Sequence, residues 1–221
     1  MSVPLHDAPD WLYLLREYDA LYRHGSAGGS KVIRSHRRRV REALSAIIEA
    51  NSPVEARKPA RLPVVAHLGR ALDLARRGSL DSMGRSLERV APLLTWELGY
   101  SKISRTLGNK YAYAEILGPR GPVQASDLIL LFAPNTTYPQ HSHAGIEESY
   151  ISIAGAWSEN DNAVYAPGSL VLNRPGDEHR ITTGQLAPCL LAYAWIGPRE
   201  RLWEPGMTFT VTARQSRPRS R

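Results

Sequence analysis

The stretch 138–179 constrains the fold most, because side chains that can bind a metal recur there at the spacing of β-strands. Residues 138–155 read YPQHSHAGIEESYISIAG, and residues 166–184 read APGSLVLNRPGDEHRITTG. In an extended strand, residues two apart face the same way, so His141 and His143 point together. Alternation would turn these side chains toward one cavity, and the stretch therefore predicts a single-metal site inside a small β-barrel.

The second half of the chain has the composition of β-structure. From Tyr100 onward, short β-branched or aromatic runs alternate with Gly, Pro, Asn and Asp. This alternation is typical of strands joined by turns, and regular short strands favour a closed barrel or jelly roll. We place the start of this part near residues 100–105 and predict a barrel over 104–206.

The first half has helical periodicity. Apolar residues recur at intervals of three and four in four segments: 8–24, 31–50, about 62–77 and roughly 80–98. For the fourth segment, Ser79 or Asp81 is the expected N-cap and Gly99 the expected end. The sequence thus predicts a mainly β protein with a helical N-terminal part (α+β). We interpret residues 1–103 as a cap or a dimerisation element, which makes a homodimer possible.

The net charge of +7 raises the question of a nucleic-acid partner. The excess is scattered arginine, and in 37–39 and 76–77 it is interleaved with helical apolar positions, as on a solvated helix face. The basic C-terminal tail, 207–221, is expected to be disordered. Because zinc-finger spacing and RNA-binding signatures are absent from the sequence, we expect no nucleic-acid partner.

Membrane association and disulfide bonding are also not expected. The longest apolar run, LILLFA at 128–133, is far shorter than the roughly 20 residues that a bilayer requires. The polar N-terminus does not resemble a signal peptide. Cys189 is the single cysteine and is predicted to be a small buried apolar residue. We therefore predict a cytoplasmic protein.

A four-residue ligand set follows from strand alternation. Glu148 and Tyr150 share a face of the strand after the AGI turn, and His179 lies on a neighbouring strand. Together with His141 and His143, Glu148 and His179 offer three imidazoles and one carboxylate. This set suits one divalent transition metal. Iron, manganese, zinc, nickel and cobalt all remain open. Glu147 is the competing ligand, but it does not share the face of Tyr150, and we expect it to face solvent.

The other histidines lie in the helical part, where we expect surface or capping roles. They are His6, His24, His36 and His67.

Two segments resemble the cupin motifs. HSHAGIEESYISIAG resembles the first motif, and the matching residues are His141, His143, Glu148 and Gly155. GSLVLNRPGDEH resembles the second, and the matching residues are Gly168, Gly176 and His179. The sequence departs from the pattern at Arg174, where proline is usual, and at Thr183, where asparagine often follows, but the ligand types and their order are intact. The resemblance implies a cupin double-stranded β-helix preceded by about four helices.

A narrower resemblance covers roughly residues 10–203 and includes Glu148 with Tyr150, the YPQH segment, EHRITT and PCLLAYAWIG. These segments are similar to the cupin dimethylsulfoniopropionate (DMSP) lyases, particularly the DddL type. The resemblance implies a metal-dependent carbon–sulfur lyase that cleaves zwitterionic DMSP into dimethyl sulfide and acrylate by β-elimination. Tyr150 would be the base that removes the proton next to the substrate carboxylate.

The sulfonium end of such a substrate calls for aromatic walls, because aromatic faces attract cations. The candidates are the aromatic residues in or beside predicted strands: Tyr111, Tyr113, Tyr138, Trp157, Tyr193 and Trp195. Tyr138, Tyr193 and Trp195 are the preferred ones.

Two other functions fit the cupin motifs, because this fold serves many activities. One is another metal-dependent cupin enzyme, such as an iron-dependent dioxygenase. The other is a non-catalytic cupin that binds a small ligand.

Overall fold

The structure is a computed structural model of the 221-residue chain, and it describes residues 2–24, 29–98, 107, 109–123, 127–132 and 135–210. The helices in this part of the chain are α1 (Pro9–His24), α2 (Lys31–Glu49), α3 (Leu68–Arg76), α4 (Asp81–Val90) and α5 (Arg199–Trp203). Short 3-10 turns occupy Leu5–Asp7, Pro63–His67 and Ala91–Leu93. No described helix has both the length and the apolar character needed to cross a bilayer.

The four N-terminal helices confirm the helical prediction, but the fourth differs in extent. It ends at Val90 rather than near Gly99, because Pro92 follows in a 3-10 turn and proline cannot continue an α-helix. Its N-cap is Leu80, which makes no side-chain cap bond, so neither proposed cap residue serves. Asp81 is the first helical residue and instead pairs with Arg85. Gly99 lies outside the described residues.

Two antiparallel sheets form the barrel. The strands are β1 (Ser2–Pro4), β2 (Pro53–Glu55), β3 (Trp96–Glu97), β4 (Tyr111–Leu117), β5 (Asp127–Phe132), β6 (Thr137–His143), β7 (Glu147–Ala154), β8 (Trp157–Glu159), β9 (Ala163–Tyr165), β10 (Leu170–Asn173), β11 (His179–Thr183), β12 (Cys189–Ile196) and β13 (Met207–Phe209). One sheet has the order β10-β7-β12-β5-β4-β3 and the other β13-β6-β11-β8-β9. β1 and β2 pair separately.

Strand alternation divides the six-stranded sheet into two faces. Tyr150 and Tyr193 point inward and pack with Trp157 and Ile181 of the opposite sheet. Their neighbours point outward; Ile151 belongs to a core shared with the N-terminal helices. The helices therefore cover the outer face of the sheet that forms one wall of the cavity. Cys189 is buried, as expected for a small apolar residue, and burial raises the pKa of its thiol.

Both chain segments outside 104–206 contribute strands to the barrel sheets. β3, within the helical part, pairs with β4. β13 pairs with His141–His143 of β6, so regular structure continues beyond residue 206 into the predicted tail. Residues 211–221 lie outside the described residues. A boundary at 103/104 and a homodimer stay predictions.

A polar network crosses the interface between the helices and β7. The hydroxyls of Tyr22 and Ser149 lie 2.7 Å apart, and His36 Nε2 lies 2.7 Å from the same Ser149 oxygen. The other ring nitrogen of His36 contacts the Glu147 carboxylate, which also accepts a hydrogen bond from Arg39.

Two expectations from the sequence are therefore wrong. His36 is fully buried rather than at a surface or cap, and the Glu147 side chain is only 14% exposed rather than facing solvent. The reason is the same for both: the face of β7 that points away from the cavity is covered by helices.

Candidate metal centre

Three strands bring the predicted ligands together. His141 and His143 lie on β6, Glu148 on β7 and His179 at the start of β11, where it is paired in register with His141. All four side chains are buried. One potential ligand atom from each lies within 4.8 Å of those of the others. Of the two adjacent glutamates, the structure thus turns Glu148 toward the histidines.

Contacts outside the cluster orient two of its histidines. His141 Nδ1 lies 2.8 Å from the carbonyl oxygen of Pro139, and His179 Nδ1 lies 3.2 Å from that of Asp177. A carbonyl oxygen only accepts hydrogen bonds, so each Nδ1 is the protonated nitrogen. The Nε2 lone pairs are then left for the cluster, as in metal-binding histidines.

Glu148 is held from two sides. Its Oε1 accepts a hydrogen bond of 2.5 Å from the indole Nε1 of Trp195. Its Oε2 lies 3.0 Å from His179 Nε2 and 3.5 Å from His143 Nε2. The carboxylate is therefore fixed with one oxygen toward the histidines.

The cluster fits a divalent cation, because several buried polar atoms lack a partner. Both ring nitrogens of His143 and Oε2 of Glu148 make no hydrogen bond among the described residues. Leaving such an atom unsatisfied costs about 1–3 kcal/mol. A bound metal would satisfy the Glu148 oxygen and one His143 nitrogen, and a mixed nitrogen and oxygen donor set suits a first-row transition metal.

The protonation states of His141, His143 and Glu148 suit metal binding. Burial lowers the pKa of His141 to about 3, with the neighbouring His179 acting in the same direction. Burial by itself would raise the pKa of Glu148, but the imidazoles of His143 and His179 bring it below its usual range. A neutral imidazole and an ionised carboxylate are the forms that bind a metal. At His179, burial lowers the pKa, but the hydrogen bond and the charge of Glu148 raise it above its usual value, so a metal would displace a proton there.

Tyr150 stands beside the cluster on the same face of β7 as Glu148. Its hydroxyl lies 3.2 Å from His179 Nε2, and the side chain is buried. Burial, and then the negative charge of Glu148, raise the pKa of this phenol well above its usual value. The phenol is therefore protonated unless positive charge enters the cavity.

The predicted aromatic walls are all buried inside the barrel and belong to one cluster of packed side chains. The ring centroids of Tyr111 and Tyr138 lie 4.7 Å apart, and Tyr138 also packs edge-on against His141 at 4.9 Å. The ring centroid of Tyr193 lies 5.7 Å from that of Tyr150.

Tyr113 and Trp195 each donate a hydrogen bond to a glutamate. The Tyr113 hydroxyl donates to Glu97 on β3 at 3.1 Å. Trp195 contacts both Glu148 and His143, with ring centroids 4.7 Å apart for the latter pair. Trp195 thus lies against the candidate ligands.

Sequence reasoning missed two polar residues of the cavity. Glu159 on β8 is 7% exposed and accepts a 2.8 Å hydrogen bond from the amide of Asn173 on β10. Asn173 is the register partner of Glu148. Alternation places Glu159 on the face of Trp157, which was a usable signal for its inward direction, but no local pattern predicts its pairing with Asn173.

Two facing antiparallel sheets that enclose three histidines and a glutamate define this protein as a cupin. The sequence profile of the dimethylsulfoniopropionate lyase family matches residues 36–191. The chain belongs to this family of carbon–sulfur lyases, which confirms the resemblance drawn from the motifs.

A close relative and two solved structures agree with this assignment. A curated protein of Cereibacter sphaeroides, named "Putative dimethylsulfoniopropionate lyase DddL", is 68% identical over 206 residues, covering 92% of this chain and 89% of its own length. The DMSP lyase DddQ from Ruegeria pomeroyi has a TM-score of 0.68 at 20% identity, covering 91% of this chain and 96% of that one. A chain from the structures of the DMSP lyases RdDddP and RnDddQII has a TM-score of 0.65 at 20% identity, covering 92% and 99%. At this identity the two structures support the fold.

Proposed function

We propose that this protein is a metal-dependent DMSP lyase that releases dimethyl sulfide and acrylate by a β-elimination that Tyr150 initiates. The observation that carries the proposal is the buried cluster of three histidines and Glu148, with the Tyr150 hydroxyl 3.2 Å from one of those histidines. The family membership supplies the substrate class.

Four side chains would hold the metal: His141, His143, Glu148 and His179. When bound there, a divalent metal supplies a Lewis acid for the substrate carboxylate and a positive charge that offsets the effect of Glu148 on the Tyr150 phenol. The barrel walls bury both groups, which excludes water and strengthens their electrostatic interactions.

Tyr150 would act on the substrate carbon next to the carboxylate. Its phenolate oxygen takes one proton from that carbon, and the electron pair of the broken C–H bond forms the new C=C bond. The C–S bond breaks at the same time or afterwards, and its electron pair leaves with sulfur as neutral dimethyl sulfide. Acrylate keeps the carboxylate, so atoms and charge balance without any oxidant.

The test is a headspace assay for dimethyl sulfide. Protein stripped of metal and then reloaded with iron, manganese, zinc, nickel or cobalt in turn is incubated with DMSP, alongside stripped protein. We expect release with at least one metal and little without. No release with any of the five metals would refute the proposal.

Running the same assay without oxygen separates elimination from an oxygenase activity. Because β-elimination consumes no dioxygen, release should be undiminished under anaerobic conditions. Activity that requires oxygen would instead support the iron-dependent dioxygenase alternative, and binding of DMSP without any product would support a non-catalytic cupin.

A further inference from the structure

Glu159 is a buried carboxylate in the barrel interior that the elimination step does not use. Its hydrogen-bond partner is the amide of Asn173, and no arginine or lysine of the described residues lies within ion-pair distance of it. The nearby Arg180 pairs with Asp161 instead. Burial raises the pKa of the Glu159 carboxyl, against the opposing effect of the Asn173 hydrogen bond. The nearby His179 lowers this pKa only in part, and no arginine or lysine partner among the described residues offsets the burial, so a bound cation would stabilise the carboxylate.

The strand registers place this carboxylate close to the candidate reaction centre. Glu159 pairs with Ile181, two residues from His179 along β11. Its partner Asn173 stands opposite Glu148 on β7. The charge of Glu159 also contributes to raising the pKa of Tyr150, so the two side chains lie within electrostatic range of each other.

Aromatic rings surround the same part of the barrel interior. Trp157 lies two residues before Glu159 on β8, and its ring centroid is 5.6 Å from that of Tyr150 and 5.1 Å from that of Tyr165. The Trp157 indole Nε1 is buried without a hydrogen-bond partner among the described residues. A carboxylate beside aromatic faces is an environment that favours an organic cation over a neutral group.

We propose that Glu159, together with Trp157 and Tyr165, binds the dimethylsulfonium end of the substrate and discriminates a sulfonium from a neutral thioether. This inference rests on the proposed lyase function. The sulfur of DMSP is only two bonds from the carbon whose proton Tyr150 removes, so the cation must lie beside Tyr150, where this group stands. A zwitterion then spans the cavity with its carboxylate at the ligand cluster and its cation at Glu159.

This role has a kinetic signature that a merely structural role lacks. Positive charge leaves the sulfur as the C–S bond breaks, so Glu159 stabilises bound substrate at least as much as the transition state. Removing the charge should therefore raise KM without lowering kcat to the same degree. Neutral dimethyl sulfide no longer pairs with the carboxylate, which favours its departure.

The experiment compares Glu159→Gln with the wild-type holoenzyme. The matched control is Glu97→Gln, because Glu97 also contacts a barrel tyrosine but lies on the edge strand β3. For Glu159→Gln we expect KM for DMSP to rise about tenfold, with kcat changed less than about twofold. Inhibition constants of acrylate and 3-(methylthio)propionate, which lack the cation, should hardly change. Glu159→Asp should restore part of the loss.

An unchanged KM, or an equal weakening of DMSP and both neutral-ended inhibitors, would overturn the assignment. If Glu159→Gln does not fold, calorimetry on metal-loaded Tyr150→Phe, which should bind DMSP without cleaving it, decides: similar affinities for DMSP and 3-(methylthio)propionate would also overturn the assignment. This binding measurement needs no turnover, so the absence of dimethyl sulfide in the headspace assay would refute the lyase proposal separately.

Discussion

At the scale of single residues, Tyr150 is the most demanding assignment because its environment opposes ionisation. The buried phenol sits beside a carboxylate, and its pKa is raised. A base in this position works only with positive charge close to it, which both a metal at the cluster and a sulfonium substrate would bring. The residue would thus be protonated when the cavity is empty of cations and reactive when it is filled.

We predict that Tyr150→Phe keeps the metal but loses at least about a hundredfold in turnover, because general base catalysis of this kind is worth 10²–10⁴. The control is Tyr22→Phe, which removes an equally buried hydroxyl from the outer side of β7. Metal content by elemental analysis and dimethyl sulfide release are measured for both. Near-normal release by Tyr150→Phe would remove this residue as the base.

Trp195 gives a second prediction at this scale. Its indole donates to Glu148 Oε1, so Trp195→Phe should weaken metal affinity about 10- to 100-fold, as expected for loss of a contact that orients a ligand. Trp96→Phe is the matched control, since the Trp96 indole nitrogen makes no hydrogen bond among the described residues. Competition with a chelator measures both, and equal affinities would contradict the role of Trp195.

At the scale of elements, β7 is the strand on which the site and the helical part meet. One of its faces carries Glu148 and Tyr150, and the other carries Glu147 and Ser149, bonded to helices α1 and α2. The helices therefore hold the strand that presents the candidate base. We call the polar contacts of α1 and α2 with Glu147 and Ser149 the brace of this strand.

The buried His36 makes this brace sensitive to pH. Burial lowers its pKa, against the opposing effect of Glu147, and Arg39 adds to the lowering. The unfolded chain therefore binds a proton more readily than the folded one. The stabilising contribution of neutral His36 is fully present above the unfolded pKa of about 6.5 and is lost progressively as pH falls below it.

We predict that His36→Gln reduces this pH dependence. Urea midpoints of metal-free protein, measured between pH 7.5 and 5.5, should fall more steeply for the wild type than for the variant. The control is His67→Gln, which changes a half-buried histidine of a 3-10 turn, and its urea midpoints should follow those of the wild type. Parallel curves for the wild type and His36→Gln would contradict the prediction.

At the scale of the whole molecule, a metal bound at the cluster should stabilise the fold. The cluster joins both sheets and leaves buried donor atoms unsatisfied without a cation. A metal that binds only the folded state, at a free concentration of about 1,000 times its Kd, adds roughly 4 kcal/mol to the free energy of unfolding. Each kcal/mol raises Tm by about 2–4 °C in a domain of this size. Thermal unfolding of stripped and reloaded protein should differ by about 8–16 °C, and His143→Ala should abolish the difference.

The sequence predicted the features that depend on local periodicity, and it failed where distant strands had to meet. The inward direction of His141, His143 and Glu148 follows from an interval of two residues and a known turn. The contact between Glu159 and Asn173 depends on how two short strands of different sheets approach after the barrel closes. Alternation also showed that Glu147 points away from Glu148, but not that helix α2 covers it.

The two adjacent glutamates of β7 have a consequence for judging variants. A one-residue slip of a strand exchanges all of its faces. If β7 slipped so that Glu147 replaced Glu148 in the cavity, a carboxylate would still stand among the histidines, but Ser149 would occupy the place of Tyr150. Such a species would load its metal and yet lack the phenol. A full metal content therefore does not show that every molecule in a preparation is active. The fraction of active molecules has to be measured by turnover.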